Sequence, residues 1–343
     1  MNQKTSAFSG KGKKAVLFKS SERFEAFRTK LDHYGVDCTV LDFDQNDWVD
    51  FDYSQVDFAI YYPSFENSSG YPLALYKVYD NIAFLHSEYP DLQIYPDPGI
   101  IKYYNDKYRQ YLFLKKNHFP IPDTLPLHSI DDVNAAEESF GYPMILKNRY
   151  GAGGGSVFKI ENRKDLDKYF CLSQMHLFNV QALKHFGSMM ASRLFWYHTI
   201  KAKRVPYPFL SPPLLAQRFV KIDRDLKTVV GGNRVVEGHW RLQANNAMWK
   251  MNIDGGGTGV WSEIPQDALE LSLRLGKVLK ASWLNIDLIH SGEQFLITEF
   301  SPVWHHYLYK EKPSFVYSDD YNLDPLEYAL DLERIIVESL LQT

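Results

Sequence analysis

The sequence predicts an α/β protein in which a parallel-sheet lobe is followed by further α+β lobes. Short apolar runs alternate with helical stretches over the first hundred residues, the pattern of parallel strands joined by crossover helices. A glycine-rich loop, Gly151-Ala152-Gly153-Gly154-Gly155-Ser156, lies between two strand-like runs. Farther on, two runs rich in Ile, Leu and Phe flank Ser291-Gly292-Glu293, a hairpin signal with a short glycine-containing loop.

The bulk properties are those of an ordinary globular protein long enough for two or three lobes. Its 343 residues are 45% hydrophobic and 23% charged, with a net charge of −4, which gives no electrostatic case for nucleic acid as a partner. The only cysteines, Cys38 and Cys171, fit a reducing compartment and provide no disulfide framework. Residues 1–14 are polar and lysine-bearing, without the apolar segment of a secretory signal. No run approaches the ~18 apolar residues that span a bilayer. The expectation is a cytoplasmic protein with neither membrane nor nucleic-acid partner.

Taken in order, Ala15–Lys19 reads as a strand, followed by a helical stretch to about Tyr34. Cys38–Phe43 and Val56–Tyr62 read as two more strands and Tyr71–Tyr89 as a long helix. The turn cluster Pro96-Asp97-Pro98-Gly99 closes the lobe. Asn105 is the expected cap of a helix through Lys116, and Phe119–Thr124 is an extended connector because its prolines disfavour helix. Met144–Lys147 enters the glycine loop, Val157–Ile160 leaves it, and Asp165 to about Leu172 is helical. Leu214–Val220, Thr228–Val230 and Val235-Val236 are strand candidates, and Gln266–Ser282 is a helix. For Asp324–Leu341 a capping box is expected, with Asp324 at N-cap, Pro325 at N1 and Glu327 at N3.

The hairpin carries a carboxylate on each strand, Asp287 and Glu299, where a half-buried strand should present hydrophobe. If His290 pairs with Gln294, Asp287 lies opposite Ile297 and diagonal to Glu299, roughly 7–8 Å away. An acidic pair on one sheet face is costly without a cation nearby, and Mg²⁺ is the simplest occupant, because it takes one or two carboxylates plus substrate phosphates. Two strand carboxylates at a solvated edge are the plainer alternative. Consecutive glycines after Lys147 let backbone N–H groups close over a phosphate chain, where a Cβ would intrude. The lysine precedes the glycines and no Gly-Lys-Ser/Thr ends the run, so this is no P-loop, and the loop also lacks the G-x-G-x-x-G strand-to-helix context of a dinucleotide fold. Arg241, Lys250 and Asn252 lie around a second glycine run, where cationic groups can hold a carboxylate or a transferring phosphoryl group.

The order of these elements resembles the ATP-grasp superfamily, and within it the RimK-like glutamate-ligase branch. Asp106-Lys107 with Phe119-Pro120-Ile121-Pro122, then Ile145-Leu146-Lys147 with its loop, Gln217–Val220, Trp240-Arg241, Lys250-Met251-Asn252, and finally Asp287 and Glu299 carry the resemblance. It implies an ATP-grasp fold: a pre-ATP-grasp domain over 1–102 with a disordered N-terminal tail, a central lobe over 103–216, and a C-terminal lobe over 217–343. ATP would lie between the last two. By resemblance, Lys107 and Lys147 hold phosphates under a flap formed by Gly151, Gly153, Gly154, Gly155 and Ser156. Gln217, Arg218, Phe219 and Val220 form the adenine-reading hinge. Asp225 is then a ribose contact and Lys227 a phosphate ligand. Asp287, Glu299 and Ser301 hold Mg²⁺ (or Mn²⁺), and Arg241, Lys250 and Asn252 hold the acyl group.

The implied reaction joins a small-molecule, peptide or saccharide carboxylate to an amine through an acyl phosphate. A phosphotransferase and a non-catalytic nucleotide-binding protein are the alternatives. Two features depart from the pattern. Ser301 stands where the branch has Asn, and residues 189–213 form an excess that reads as an interlobe or dimer-packing insertion, or as a substrate lid. Homo-oligomerisation is left open.

Overall fold

The structure is a computed structural model. It describes residues 9–20, 23–63, 77–151, 156–174, 210–231, 234–243, 257–303, 315–317, 323–325 and 331–342, with Met251 and isolated positions between 180 and 191. Residues 1–8 of the expected N-terminal tail, Gly153 to Gly155, Lys250, Asn252 and most of the 189–213 insertion lie outside the described residues.

The first lobe is built from β1 (Lys14–Phe18), α1 (Phe24–Tyr34), β2 (Asp37–Leu41), α2 (Asp47–Asp50), β3 (Phe58–Ile60), α3 (Ile82–Glu88) and β4 (Gln93–Tyr95). The four strands form an all-parallel sheet in the order β2-β1-β3-β4. β1 and β3 are buried on both faces, which is why they read as unbroken apolar runs rather than alternation. Next comes α4 (Lys107–Lys116), which leads to the second sheet.

The central lobe contains β5 (Thr124–Leu127), α5 (Ile130–Phe140), β6 (Met144–Lys147), β7 (Val157–Ile160), α6 (Arg163–Ser173) and β8 (Leu214–Arg218). Its antiparallel sheet, ordered β5-β8-β6-β7, packs Leu146, Ile160 and Ala216 against Val133 and Ala136 of α5 and Leu166 of α6.

The third sheet is the largest, with β9 (Arg224–Gly231), β10 (Arg234–Leu242), β11 (Thr258–Val260), β12 (Trp283–His290), β13 (Phe295–Ser301), β14 (Phe315–Tyr317) and β15 (Leu323–Pro325). The helices α7 (Gln266–Leu279) and α8 (Leu332–Leu341) complete the fold. Strand alternation gives this sheet two unlike faces. On one, Leu226, Val230, Leu284, Ile286, Leu288 and Ile297 pack under Leu271, Leu275 and Leu279 of α7. On the other, Val229, Trp283 and Val303 join the core of the first lobe, and Lys227, Glu237, His239, Arg241, Asn285, Asp287 and Glu299 make the stretch between them and the apolar pair Ile289 and Leu296 charged or polar.

Three expectations are corrected. Asn105 is not the cap of α4; it sits at φ 53, and the carboxylate of Asp106 accepts from Arg109 N–H instead. Asn tolerates the left-handed region, so the turn consumes Asn105 and passes the capping role to Asp106. The Asp324-Pro325 capping box does not form, because Leu323–Pro325 pairs as a strand with Phe315–Tyr317 and Asp331 caps α8 through Arg334 N–H. Finally, β4 and α5 were not expected; α5 carries a full capping box between Ser129 and Asp132.

Helix α8 returns to the first lobe. Glu333 pairs with Arg23, Asp331 with Lys30, and Glu338 accepts from Tyr34 Oη at 2.5 Å, while Leu332, Ile336 and Val337 enter the core built around β1 and α1. No helix among the described residues is long and apolar enough to cross a membrane. Ile336→Ala is expected to destabilise the protein by about 2–5 kcal/mol, the scale of a buried aliphatic truncation, read as a lowered urea midpoint with unchanged slope. An unaltered midpoint would mean that α8 is not part of the cooperative core.

Candidate nucleotide and metal site

On the polar face of the third sheet, neighbouring strands bring one charged residue after another into line. Asp287 on β12 is paired in register with Lys227 on β9, which pairs with His239 on β10; the next row along joins Arg241 to Asp225. Arg241 grips Asp225 with two hydrogen bonds of 2.6 and 2.8 Å and lies 3.4 Å from Asp287. Lys227 donates to Asp287 at 3.2 Å. Burial raises the Asp287 pKa, but Arg241 and Lys227 outweigh it and hold the carboxyl well below the ordinary range. At Asp225 the balance falls the other way: burial pushes it up to about 6 despite Arg241.

The hairpin register differs from the expected one. His290 pairs with Phe295 and Leu288 with Ile297, and a bulge then adds Thr298, so that Asp287 stands directly opposite Glu299. The Thr298 hydroxyl donates to the Asp287 carbonyl at 3.0 Å and fixes the bulge. One extra residue re-aims a side chain, and here it turns a diagonal acidic pair into a facing one.

Two lysines approach these acids from the other elements. Lys107, on the first turn of α4, lies 3.5 Å from Glu299 and also donates to the carbonyl of Gly151. Lys147, at the end of β6, donates to the carbonyl of Thr298 at 3.3 Å. Burial above all, then the nearby Lys107, draws the Lys147 ammonium down to about 8 against the pull of Glu299 and Asp287. The root of the glycine loop is tied to α4: Asp106, fully buried, takes three contacts of 2.7–3.1 Å from Arg149, and Lys107 N–H donates to the Arg149 carbonyl at 2.9 Å. Gly151 has φ +126, and a Cβ there would come within 2.3 Å of Ser156 Oγ, so the position admits only glycine.

Other expected site residues are engaged elsewhere. Gln217 donates to Thr124 Oγ1 at 2.9 Å, and the exposed Arg218 binds Asp123 and the Ser139 carbonyl. Phe219 and Val220 border a cavity of about 1130 Å³ with Lys159, Arg224 and Trp240. Ser301 Oγ accepts from Val303 N–H at 3.2 Å and donates to the Val303 carbonyl at 3.1 Å.

Glu237 and His239 were missed. Both are buried, with His239 Nδ1 3.3 Å from Glu237 and its ring 5.0 Å from Trp261. Their signal was present in the sequence, since Glu237, His239 and Arg241 alternate at the strand period.

Among the described residues no three His, Cys, Asp or Glu side chains gather as a metal cluster. The oxygens of Asp287 and Glu299 still suit Mg²⁺, which needs few protein ligands when phosphates supply the rest.

Residues 104–177 match the ATP-grasp domain family. The fold agrees with the RimK domain ATP-grasp protein of Sphaerobacter thermophilus at a TM-score of 0.53 and 11% identity, over 85% of this chain and 92% of that one. Residues 104–177 thus match an ATP-grasp domain, and the fold is that of solved ATP-grasp structures. Among its sequence relatives, the alpha-aminoadipate–LysW ligase LysX of Saccharolobus solfataricus is 26% identical, over 55% of this chain and 58% of the relative. The phosphoribosylaminoimidazole carboxylase of Candida glabrata is 33% identical over 24% of this chain, and that match spans only 15% of the relative. The chain thus spans less than two thirds of the length of either curated relative.

Burial lowers the pKa of His239, with Lys227 and Arg241 adding to the effect and Glu237 opposing it. The unfolded chain therefore takes up this proton first, and stability present above about pH 6.5 is lost as pH falls below it. Urea unfolding at pH 7.5 and 5.5 is expected to show a smaller acid loss in His239→Gln than in the wild type. Equal losses in the two proteins would rule His239 out as the titrating group.

Proposed function

We propose that the chain is an ATP-dependent carboxylate–amine ligase. The observation that carries this reading is the meeting of Lys107 from α4, Lys147 from β6 and the facing pair Asp287 and Glu299 from the hairpin. Cations from the central lobe suit the phosphates of ATP, and the facing carboxylates suit the metal that accompanies them. When bound there, Mg²⁺ neutralises charge on the transferring phosphoryl group.

A carboxylate oxygen of the substrate attacks the γ-phosphorus, and the bond to the ADP oxygen breaks. An amine then attacks the acyl carbon, phosphate leaves with the bonding pair, and the nitrogen gives up a proton to yield the amide. Arg241 stands beside Asp287, where its guanidinium can stabilise the developing oxyanion. Small-molecule, peptide and saccharide carboxylates all fit this chemistry.

Hydroxylamine trapping tests the reaction. A hydroxamate that forms only with ATP, Mg²⁺ and a carboxylate is expected from the ligase. A stable phosphorylated product instead identifies a phosphotransferase, and ATP binding without ADP release across a substrate panel identifies a non-catalytic binder. Asp287→Ala and Glu299→Ala are each expected to cut ADP release by roughly 10²–10³-fold, with the far-ultraviolet circular dichroism spectrum retained. Unchanged turnover in a folded Asp287→Ala/Glu299→Ala double variant would remove the metal assignment.

A further inference from the structure

Ser301 stands two residues after Glu299, where a neutral oxygen was expected to complete the divalent-cation site. Its hydroxyl is instead closed onto Val303 by two hydrogen bonds. Directly across the strand pair from Ser301 lies Asn285, and the next pair on the same face is Asp287 with Glu299. Alternation along β12 puts Asn285 and Asp287 on one side, about 6.6 Å apart along the strand.

Asn285 is only 3% exposed. Its Nδ2 donates to the Val303 carbonyl at 2.7 Å, which orients the amide. Its Oδ1 is buried and has no hydrogen-bond partner among the described residues. A buried carbonyl left without a partner costs ~1–3 kcal/mol, and such an atom in a native structure calls for an explanation, an absent ion among them. Being an acceptor only, Oδ1 suits a cation. Hard divalent cations take oxygen from carboxylates and from carbonyl groups, and only two carboxylates face each other here.

We propose that Asn285 Oδ1, and not Ser301 Oγ, is the neutral protein oxygen of the divalent-cation site formed with Asp287 and Glu299. The carbonyl absent from position 301 is then supplied from the facing strand. This assignment rests on the nucleotide-and-metal reading above but is separable from it. Asn285→Ala and the similarly shaped Asn285→Leu both remove the oxygen, so whichever folds can be read.

Free Mn²⁺ is followed by electron paramagnetic resonance as it is titrated into each protein, alone and with a non-hydrolysable ATP analogue. The expected result is at least a tenfold loss of Mn²⁺ affinity in the Asn285 variants and less than a twofold change in Ser301→Ala. Wild-type affinity in a folded Asn285 variant, or the loss appearing in Ser301→Ala, overturns this assignment while the wild-type titration with the analogue upholds the nucleotide site. A wild-type protein that takes up no Mn²⁺ under either condition overturns both.

Discussion

Charge cannot be buried alone, and the polar face of the third sheet is organised by that constraint. Asp287 is its centre: it is held between Lys227 and Arg241 and faces Glu299. Each of these partners is in place because strands pair in a fixed register, so one slipped residue would send Asp287 into the core under α7. The bulge at Thr298 is part of the same solution, since without it Glu299 would not stand opposite. The ionic pattern and the hydrogen-bonded ladder therefore specify each other.

The hairpin also determines how the lobes meet. β13 is an edge strand, and an edge leaves backbone groups unpaired. Here they are taken by other elements: Ile297 N–H donates to the Pro120 carbonyl, Phe300 N–H to Gln110 Oε1, and the Thr298 carbonyl accepts from Lys147. Contacts made through the main chain do not depend on which side chains β13 carries. They fix Lys147 and α4 against the facing carboxylates Asp287 and Glu299, the preorganisation that the proposed phosphoryl transfer needs.

Much of this was legible in the sequence where an apolar run had hard boundaries. β6 and β7 fall where Pro143 and the glycine loop delimit them. The hairpin was legible as a hairpin, but its register was not, because a bulge is a three-dimensional compromise with no composition of its own. Asp106 was overlooked as a cap because Asn105 is an equally good cap residue on paper, and only the backbone decides which of them turns. The strand β4 is three residues long, too short for periodicity to register. Lys107, Lys147, Asp287 and Glu299, singled out from spacing and resemblance, are brought together by the fold. Glu237 and His239 were not singled out, although their alternation with Arg241 was visible, because polar residues in a strand usually face solvent and here they face a buried charge.

The packing of α8 on α1 has a consequence for the history of each molecule. Its three polar links join residues more than 300 positions apart, and contacts so distant in sequence are slow to form. On the ribosome the first lobe emerges early, with β1 to β4 made while Leu332, Ile336 and Val337 are still unsynthesised. Its apolar surface then stays open until the second and third sheets, which lie between β4 and α8 in sequence, have been made. Between those two stretches the nascent chain carries an unfinished core, a state in which chaperone capture or misassembly competes with folding. The first lobe is thus completed by the helix that is made after the other two sheets.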